Sequence, residues 1–266
     1  MNFEKITYSC DDDIVTIAFN DEKTLNAAGL DTTEEMLVAL EKAGDQGRCT
    51  IITGNGRGFC SGANLAGGLK GSEADDRPKG AFDAGKALDS HYNPFVTALR
   101  EHPHPVITAV NGPAAGVGCS IALLGDMIIA SESAYFLQAF RRIGLVPDGG
   151  STYLLPRTIG RVRAMEMALL GEKLPARKAL EWGMVNEVVA DDELMPRANA
   201  LARTLANGPT QALAMTRQLI WDGCEADWGP QLHAERISQR AAGRTNDNRE
   251  GIMAFLEKRP ANFTGT

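Results

Sequence analysis

The sequence is poor in the residues that announce the commonest metal and nucleophile chemistries. It has four histidines in 266 residues. Only His102 and His104 lie close together, flanking Pro103, and no C-x-x-C pair is present to complete a tetrahedral zinc site. No bound metal is expected. The five cysteines (Cys10, Cys49, Cys60, Cys119 and Cys224) are odd in number and scattered, which fits a reducing compartment rather than a disulfide framework. A G-x-S-x-G elbow is absent, which disfavours a serine hydrolase. The phosphate-cradling G-x-x-x-x-G-K-[ST] loop and the ordered G-x-G-x-x-G fingerprint are absent too. No run of ~18 apolar residues exists that could span a bilayer. The acidic excess, 34 Asp and Glu against 27 Lys and Arg, gives a net charge of −7 and argues against nucleic-acid or anionic-membrane partners. Met1-Asn2-Phe3-Glu4-Lys5 lacks a basic stretch followed by an apolar run, so no secretory signal is expected and the protein is placed in the cytoplasm.

What is present is enough apolar material, 44% of the residues, for one sizeable core. Four short apolar runs read as buried strands: 14–19, 49–53, 105–110 and 127–130. A fifth strand is expected over 185–189. Between them the period lengthens to that of helices. Thr32 and Glu35 have capping-box spacing ahead of Met36, Leu37 and Leu40, and Gly44 is a plausible stop. Helices are also expected over 94–100, 117–124, 161–170 and 175–182, the last two closed by Gly171 and Gly183. From about Glu193 the pattern is wholly helical. Residues 66–90 are rich in Gly, Asp, Lys and Ser and read as a long surface loop. The fold class is therefore α/β with a helical C-terminal layer.

Three turns could carry chemistry. Gly58-Phe59-Cys60-Ser61-Gly62-Ala63-Asn64-Leu65 and Asn111-Gly112-Pro113-Ala114-Ala115-Gly116-Val117-Gly118 each follow a buried strand. Small residues let a ligand approach the backbone, and the second turn also opens a helix, whose N-terminus favours negative charge. Two N–H groups converging from such turns would make an oxyanion hole. Glycines after a strand also serve simply as turns, and both readings stand. In the third, Ile143-Gly144-Leu145-Val146-Pro147-Asp148-Gly149-Gly150, an acid sits in an apolar, glycine-rich setting. Asp148 is either a helix cap or, facing a dry pocket, a base with a raised pKa.

In this order the turns resemble the crotonase (enoyl-CoA hydratase/isomerase) superfamily, over nearly the whole chain from Val15 to Phe263. Thr24-Leu25-Asn26-Ala27, the Ile143 to Arg157 stretch, Trp182-Gly183-Met184-Val185 and the tail from Arg249-Glu250-Gly251 complete the resemblance. Within the superfamily, four segments are most similar to the ring-1,2-epoxyphenylacetyl-CoA isomerase subgroup of phenylacetate breakdown. They are His91-Tyr92-Asn93-Pro94, Gly144 to Asp148 with Leu154-Leu155-Pro156-Arg157, Gln239 to Arg244, and Ala254 to Arg259. The resemblance implies a spiral of ββα units over residues 1–195, an acyl-CoA substrate, no separate cofactor, and a helical trimerisation region over 196–266. A homotrimer or a dimer of trimers would follow. It carries the oxyanion donors to the backbone N–H groups of Ala63 and Val117. Contacts to the acyl-CoA fall to Ala27, Ser61, Asn64, Leu65 and Phe140. Val117 stands where glycine is commoner, and Asn64 where aspartate is usual.

The resemblance also bears on the reaction. Adding water to a double bond calls for two carboxylates, and the two glutamate places of the hydratases hold Ser120 and Phe140 here. Moving a double bond needs one base, and Asp148 falls at the isomerase position. The expected activity is an acyl-CoA isomerase that shifts a double bond or rearranges a ring epoxide through a thioester enolate, with Asp148 as proton shuttle. Enoyl-CoA hydration and non-catalytic acyl-CoA binding are the alternatives. A hydrolytic dehalogenase, which places a nucleophilic Asp there, would need a donor where Phe140 stands. Phe82, Tyr92 and Phe95 could wall the pocket or simply fill the core.

Overall fold

The computed structural model describes residues 3–64, 83 and 85–266. A six-stranded sheet runs in the order β1 (Ile6–Asp11), β2 (Ile14–Phe19), β3 (Cys49–Gly54), β4 (Val106–Val110), β6 (Met127–Ser131), β9 (Glu187–Val189). β1 pairs antiparallel with β2, and every other neighbour pair is parallel. A smaller sheet joins β5 (Pro113–Ala115), β7 (Tyr135–Leu137) and β8 (Leu174–Pro175).

The central strands β3 and β4 are buried along their whole length because both faces are covered. Ile52, Val106 and Val110 face one cluster, with Met36, Ala39, Leu40 and Ala43 of helix α1 (Leu30–Gln46) and with Phe95 and Leu99 of α2 (Asn93–Arg100). Their neighbours Ile51, Ile107 and Ala109 face the other. There they meet Leu194, Ala198, Ala202 and Ala206 of α6 (Leu194–Ala206), a stripe of alanines that lets the helix lie close to the sheet. Between β4 and β9 lie α3 (Val117–Leu123), α4 (Ser151–Leu170) and α5 (Ala176–Glu181). Helices α7 (Thr210–Gly223), α8 (Trp228–Ala242) and α9 (Asn246–Glu257) complete the tail.

Several expectations are corrected. Helix α1 starts at Leu30 with Gly29 as its cap residue, and Thr32 Oγ accepts the Gly29 N–H at 3.2 Å. Glu35 does not return to Thr32. Its carboxylate accepts the N–H groups of Glu4 and Lys5, at 3.0 and 2.8 Å, and so fixes the chain ahead of β1. The helix runs through Gly44 and ends at Gly47. Helix α4 starts ten residues earlier than Arg161 and breaks at Gly160, where φ is +78°. Leu65, Phe82 and most of the expected 66–90 loop lie outside the described residues. No described helix is long and apolar enough to cross a membrane.

One buried ion pair ties the tail to the core. Arg217 of α7 donates to Asp126 Oδ2 at 2.6 Å and to the carbonyls of Leu99, Arg100 and His102 at the end of α2. Trp221 donates to the other Asp126 oxygen at 3.1 Å, and Asp126 also accepts the Val106 N–H at 2.7 Å. His102 bonds Thr50, and its pKa is lowered to about 3 by burial first, then by His104 and Arg217. The two neighbouring histidines are thereby in structural use: His104 Nε2 reaches the Gly44 carbonyl at 2.9 Å.

Candidate active site

The first two turns leave the C-terminal ends of β3 and β4, adjacent parallel strands, and lie against each other there. Cys60 N–H donates to the Pro113 carbonyl at 3.0 Å, and the Ala115 N–H returns to the Cys60 carbonyl at 2.9 Å. Two residues further on, Gly62 meets Gly116; a β-carbon on Gly116 would sit 3.8 Å from the Gly62 α-carbon. Both glycines have positive φ, +113° and +53°, a backbone that side chains rarely tolerate. The residues that follow them are Ala63 and Val117.

The direction of each N–H follows from its peptide plane. In a trans peptide the carbonyl and the N–H point opposite ways. The Gly62 carbonyl accepts from Ala28 N–H at 2.8 Å, so the Ala63 N–H points away from that bridge. The Gly116 carbonyl accepts the Cys119 N–H at 3.0 Å inside the first turn of α3, so the Val117 N–H points out of the helix start. Neither N–H has an acceptor among the described residues. Two unsatisfied donors on abutting turns are what an oxyanion requires.

Asp148 belongs to the turn that abuts the second donor. A β-carbon on Gly149 would meet Val117 Cγ2 and Ser120 Cβ at 3.0 Å each. Ser120 Oγ donates to the Asp148 carbonyl at 2.9 Å, and Ser151 binds the same carbonyl through its N–H and its hydroxyl. The backbone of Asp148 is held on three sides while its side chain is left alone. Oδ1 is buried and has no hydrogen-bond partner. Burial pushes the carboxyl up to about 6. The Phe140 ring closes the far side, with its Cζ 3.7 Å from where a Gly116 β-carbon would lie. Because Gly149 is both left-handed (φ +58°) and flanked at 3.0 Å, Gly149→Ala is expected to cost about 2 kcal/mol of stability. It is also expected to lower turnover roughly tenfold by displacing the carboxylate. Thermal melts and steady-state rates check this, and a variant with wild-type turnover would mean the turn's position is not critical.

A family profile described as Enoyl-CoA hydratase/isomerase matches residues 10–266. The chain belongs to the enoyl-CoA hydratase/isomerase family. It is 44% identical to the 1,2-epoxyphenylacetyl-CoA isomerase of Escherichia coli (strain K12), over 95% of both chains. It is 38% identical to a probable enoyl-CoA hydratase of Rhodobacter capsulatus, over the full length of both. Among solved structures, a putative enoyl-CoA hydratase/isomerase from Mycobacterium abscessus superposes with a TM-score of 0.89 at 34% identity, covering 98% of this chain and 100% of that one.

Around this family's site the remaining residues brace the backbone. Ser61 donates its hydroxyl to the Thr24 carbonyl at 2.7 Å and its N–H to Leu25. Ala27 N–H donates to Thr24 Oγ1 at 3.1 Å, and Asn64 N–H to the Ala28 carbonyl at 3.0 Å. The structure thus brings Ala27, Ser61, Ala63 and Asn64 together on one side, with Val117, Phe140 and Asp148 opposite. Sequence reasoning gave no role to Asn26. It is buried and left-handed (φ +61°) and binds the Asp21 N–H and the carbonyls of Asn55 and Gly58. Its signal was a polar residue inside an apolar turn, which by itself reads as an ordinary turn former. Phe95 is fully buried in the core rather than in the site.

Proposed function

We propose that the protein is an acyl-CoA isomerase that moves a double bond, or opens and rearranges a ring epoxide, through an enolate of the thioester. The observation that carries this reading is the Asp148 carboxylate, with one buried oxygen unpartnered among the described residues and a carboxyl raised to about 6, beside two backbone donors that have no acceptor among those residues. At the places where the hydratases hold glutamates stand Ser120, whose hydroxyl is taken up by the Asp148 carbonyl, and Phe140, whose ring cannot move a proton. With a 3-enoyl thioester, the ionised Asp148 takes the C2 proton. The electron pair moves through the carbonyl carbon to oxygen, which the Ala63 and Val117 N–H groups hold. The protonated Asp148 then returns the proton to C4, leaving the conjugated 2-enoyl thioester. No net proton is gained or lost, so one acid suffices.

The relative named 1,2-epoxyphenylacetyl-CoA isomerase supports an aryl or ring-derived acyl group. The contacts assigned to the acyl-CoA are Ala27, Ser61, Asn64, Leu65 and the Phe140 ring. The exposed apolar side chains Ile220, Leu232, Phe255 and Leu256 on α7 to α9 support burial of the tail between subunits, as a homotrimer or a dimer of trimers. A cytoplasmic location fits the scattered free cysteines.

The test is an absorbance assay on the purified protein with cis-3-hexenoyl-CoA and, separately, trans-2-hexenoyl-CoA. Conjugation of the first and no hydration of the second is the expected result. Uptake of water by the second would favour hydration, the activity named for the Rhodobacter relative. Tight binding of both without turnover would make the protein a non-catalytic binder.

A further inference from the structure

We propose that Tyr92 is a positioning residue for the reaction, setting the direction of the Ala63 N–H through the carbonyl of Ala28. The inference rests on the reading of Ala63 and Val117 as the oxyanion donors. The Tyr92 hydroxyl donates to the Ala28 carbonyl at 2.7 Å, and the same carbonyl accepts the Asn64 N–H at 3.0 Å. Ala28 in turn donates its own N–H to the Gly62 carbonyl. The peptides on both sides of Ala63 are therefore pinned to one residue, and that residue is pinned by one phenol. A rotation of the Gly62–Ala63 peptide, which carries the donor, must break or bend a bond that Tyr92 helps to hold.

The local backbone is shaped to deliver this phenol. Leu88–Tyr92 forms a π-helical turn, in which the Asn93 N–H reaches back five residues to the Leu88 carbonyl. Such wide turns are uncommon and recur at functional sites. The turn is braced outside by His91, whose Nε2 meets Glu34 Oε1 at 3.1 Å and whose Nδ1 meets Ser90 Oγ at 2.7 Å. Inside, Tyr92 is buried. Burial pushes the phenol up to about 12, with Cys60, Asp148 and Asp31 adding to the rise, so the hydroxyl stays protonated and remains a donor. A phenylalanine would fill the same volume and remove only the bond.

The measurement is the carbonyl stretch of bound trans-2-hexenoyl-CoA by infrared difference spectroscopy, in wild type and Tyr92→Phe, with a thioether analogue lacking the carbonyl as binding control. The wild type is expected to lower the stretch relative to free ligand. Tyr92→Phe is expected to lose a clear part of that shift, to bind the thioether as wild type does, and to show kcat on cis-3-hexenoyl-CoA reduced about tenfold with KM little changed. A variant with the full wild-type shift and kcat overturns the role of Tyr92 while leaving the oxyanion reading intact. Equal loss of affinity for the thioether would make Tyr92 a mere wall of the pocket and overturn it too. A wild type that leaves the stretch unmoved overturns both readings together.

Discussion

Asp148→Asn is expected to lower isomerisation by about 10³-fold while raising the stability of the fold at neutral pH. The loss in rate follows because the two places where the hydratases hold glutamates carry Ser120 and Phe140, and neither accepts a proton at neutral pH. The pH profile carries the same signature. Asp148 must be ionised to act as a base, and its carboxyl is raised to about 6. The wild-type kcat/KM is therefore expected to be flat above about pH 7, to halve near pH 6 and to fall close to tenfold per unit below about pH 5. The gain in stability has the opposite sign from an ordinary carboxylate. A group whose folded pKa is raised holds its proton more tightly when folded, so it favours the fold in acid and opposes it once ionised. Between the ordinary aspartate value of 3.8 and about 6 that opposition builds up, and above it the full penalty is present. The amide cannot ionise and escapes the penalty. Urea unfolding should show the variant more stable by on the order of 1–3 kcal/mol at pH 7.5, with the gap closing near pH 4. A variant that is less stable at both pH values would contradict a desolvated, unpartnered carboxylate.

The second large effect lies far from the chemistry. Arg217→Ala is expected to destabilise the protein by about 3–5 kcal/mol, because it leaves the Asp126 carboxylate without its cation and three carbonyls without their donor. Arg217 has only 4% of its side chain exposed and Asp126 20%, so solvent replaces little of what is lost. A double change, Arg217→Met with Asp126→Asn, removes the stranded charge as well as its partner and is expected to recover part of the loss. Denaturant titration of the three proteins decides the matter; a single-variant loss below about 1 kcal/mol would place this pair with ordinary surface salt bridges.

How far the sequence could be read depended on whether an element's signal was local. Strands β2, β3, β4 and β6 are covered on both faces, and so appear as short runs that are mostly apolar, interrupted only by small hydroxyl residues. β1 is an edge strand with most residues exposed, and its Thr, Ser and Asp gave no such run. The small sheet has strands of two or three residues, defined by partners distant in the chain. The first half of α4 was hidden by Pro156 and Gly160, which normally punctuate helices; the chain keeps Pro156 inside the first segment and breaks the helix at Gly160. At the site, the glycine turns and Asp148 were legible because their backbone demands are written in small residues. Asn26 was not, and Tyr92 was legible only as an aromatic for the pocket or the core, since both bond carbonyls that only the folded chain brings near.

The donors proposed for the oxyanion are main-chain atoms, and that has a consequence for how such a protein tolerates change. Every replacement at Ala63 or Val117 except proline keeps the N–H, so the proposed hold on the enolate does not depend on which side chain stands at either position. Side chains around it can drift and alter which acyl group fits, or which carbon receives the proton, without dismantling the part that makes the thioester acidic. The scaffold is robust where the chemistry is common and changeable where the chemistry is particular, so new activities should arise here through exchanges at positions such as Ser120, Phe140 and Asp148 far more readily than through changes in the turns.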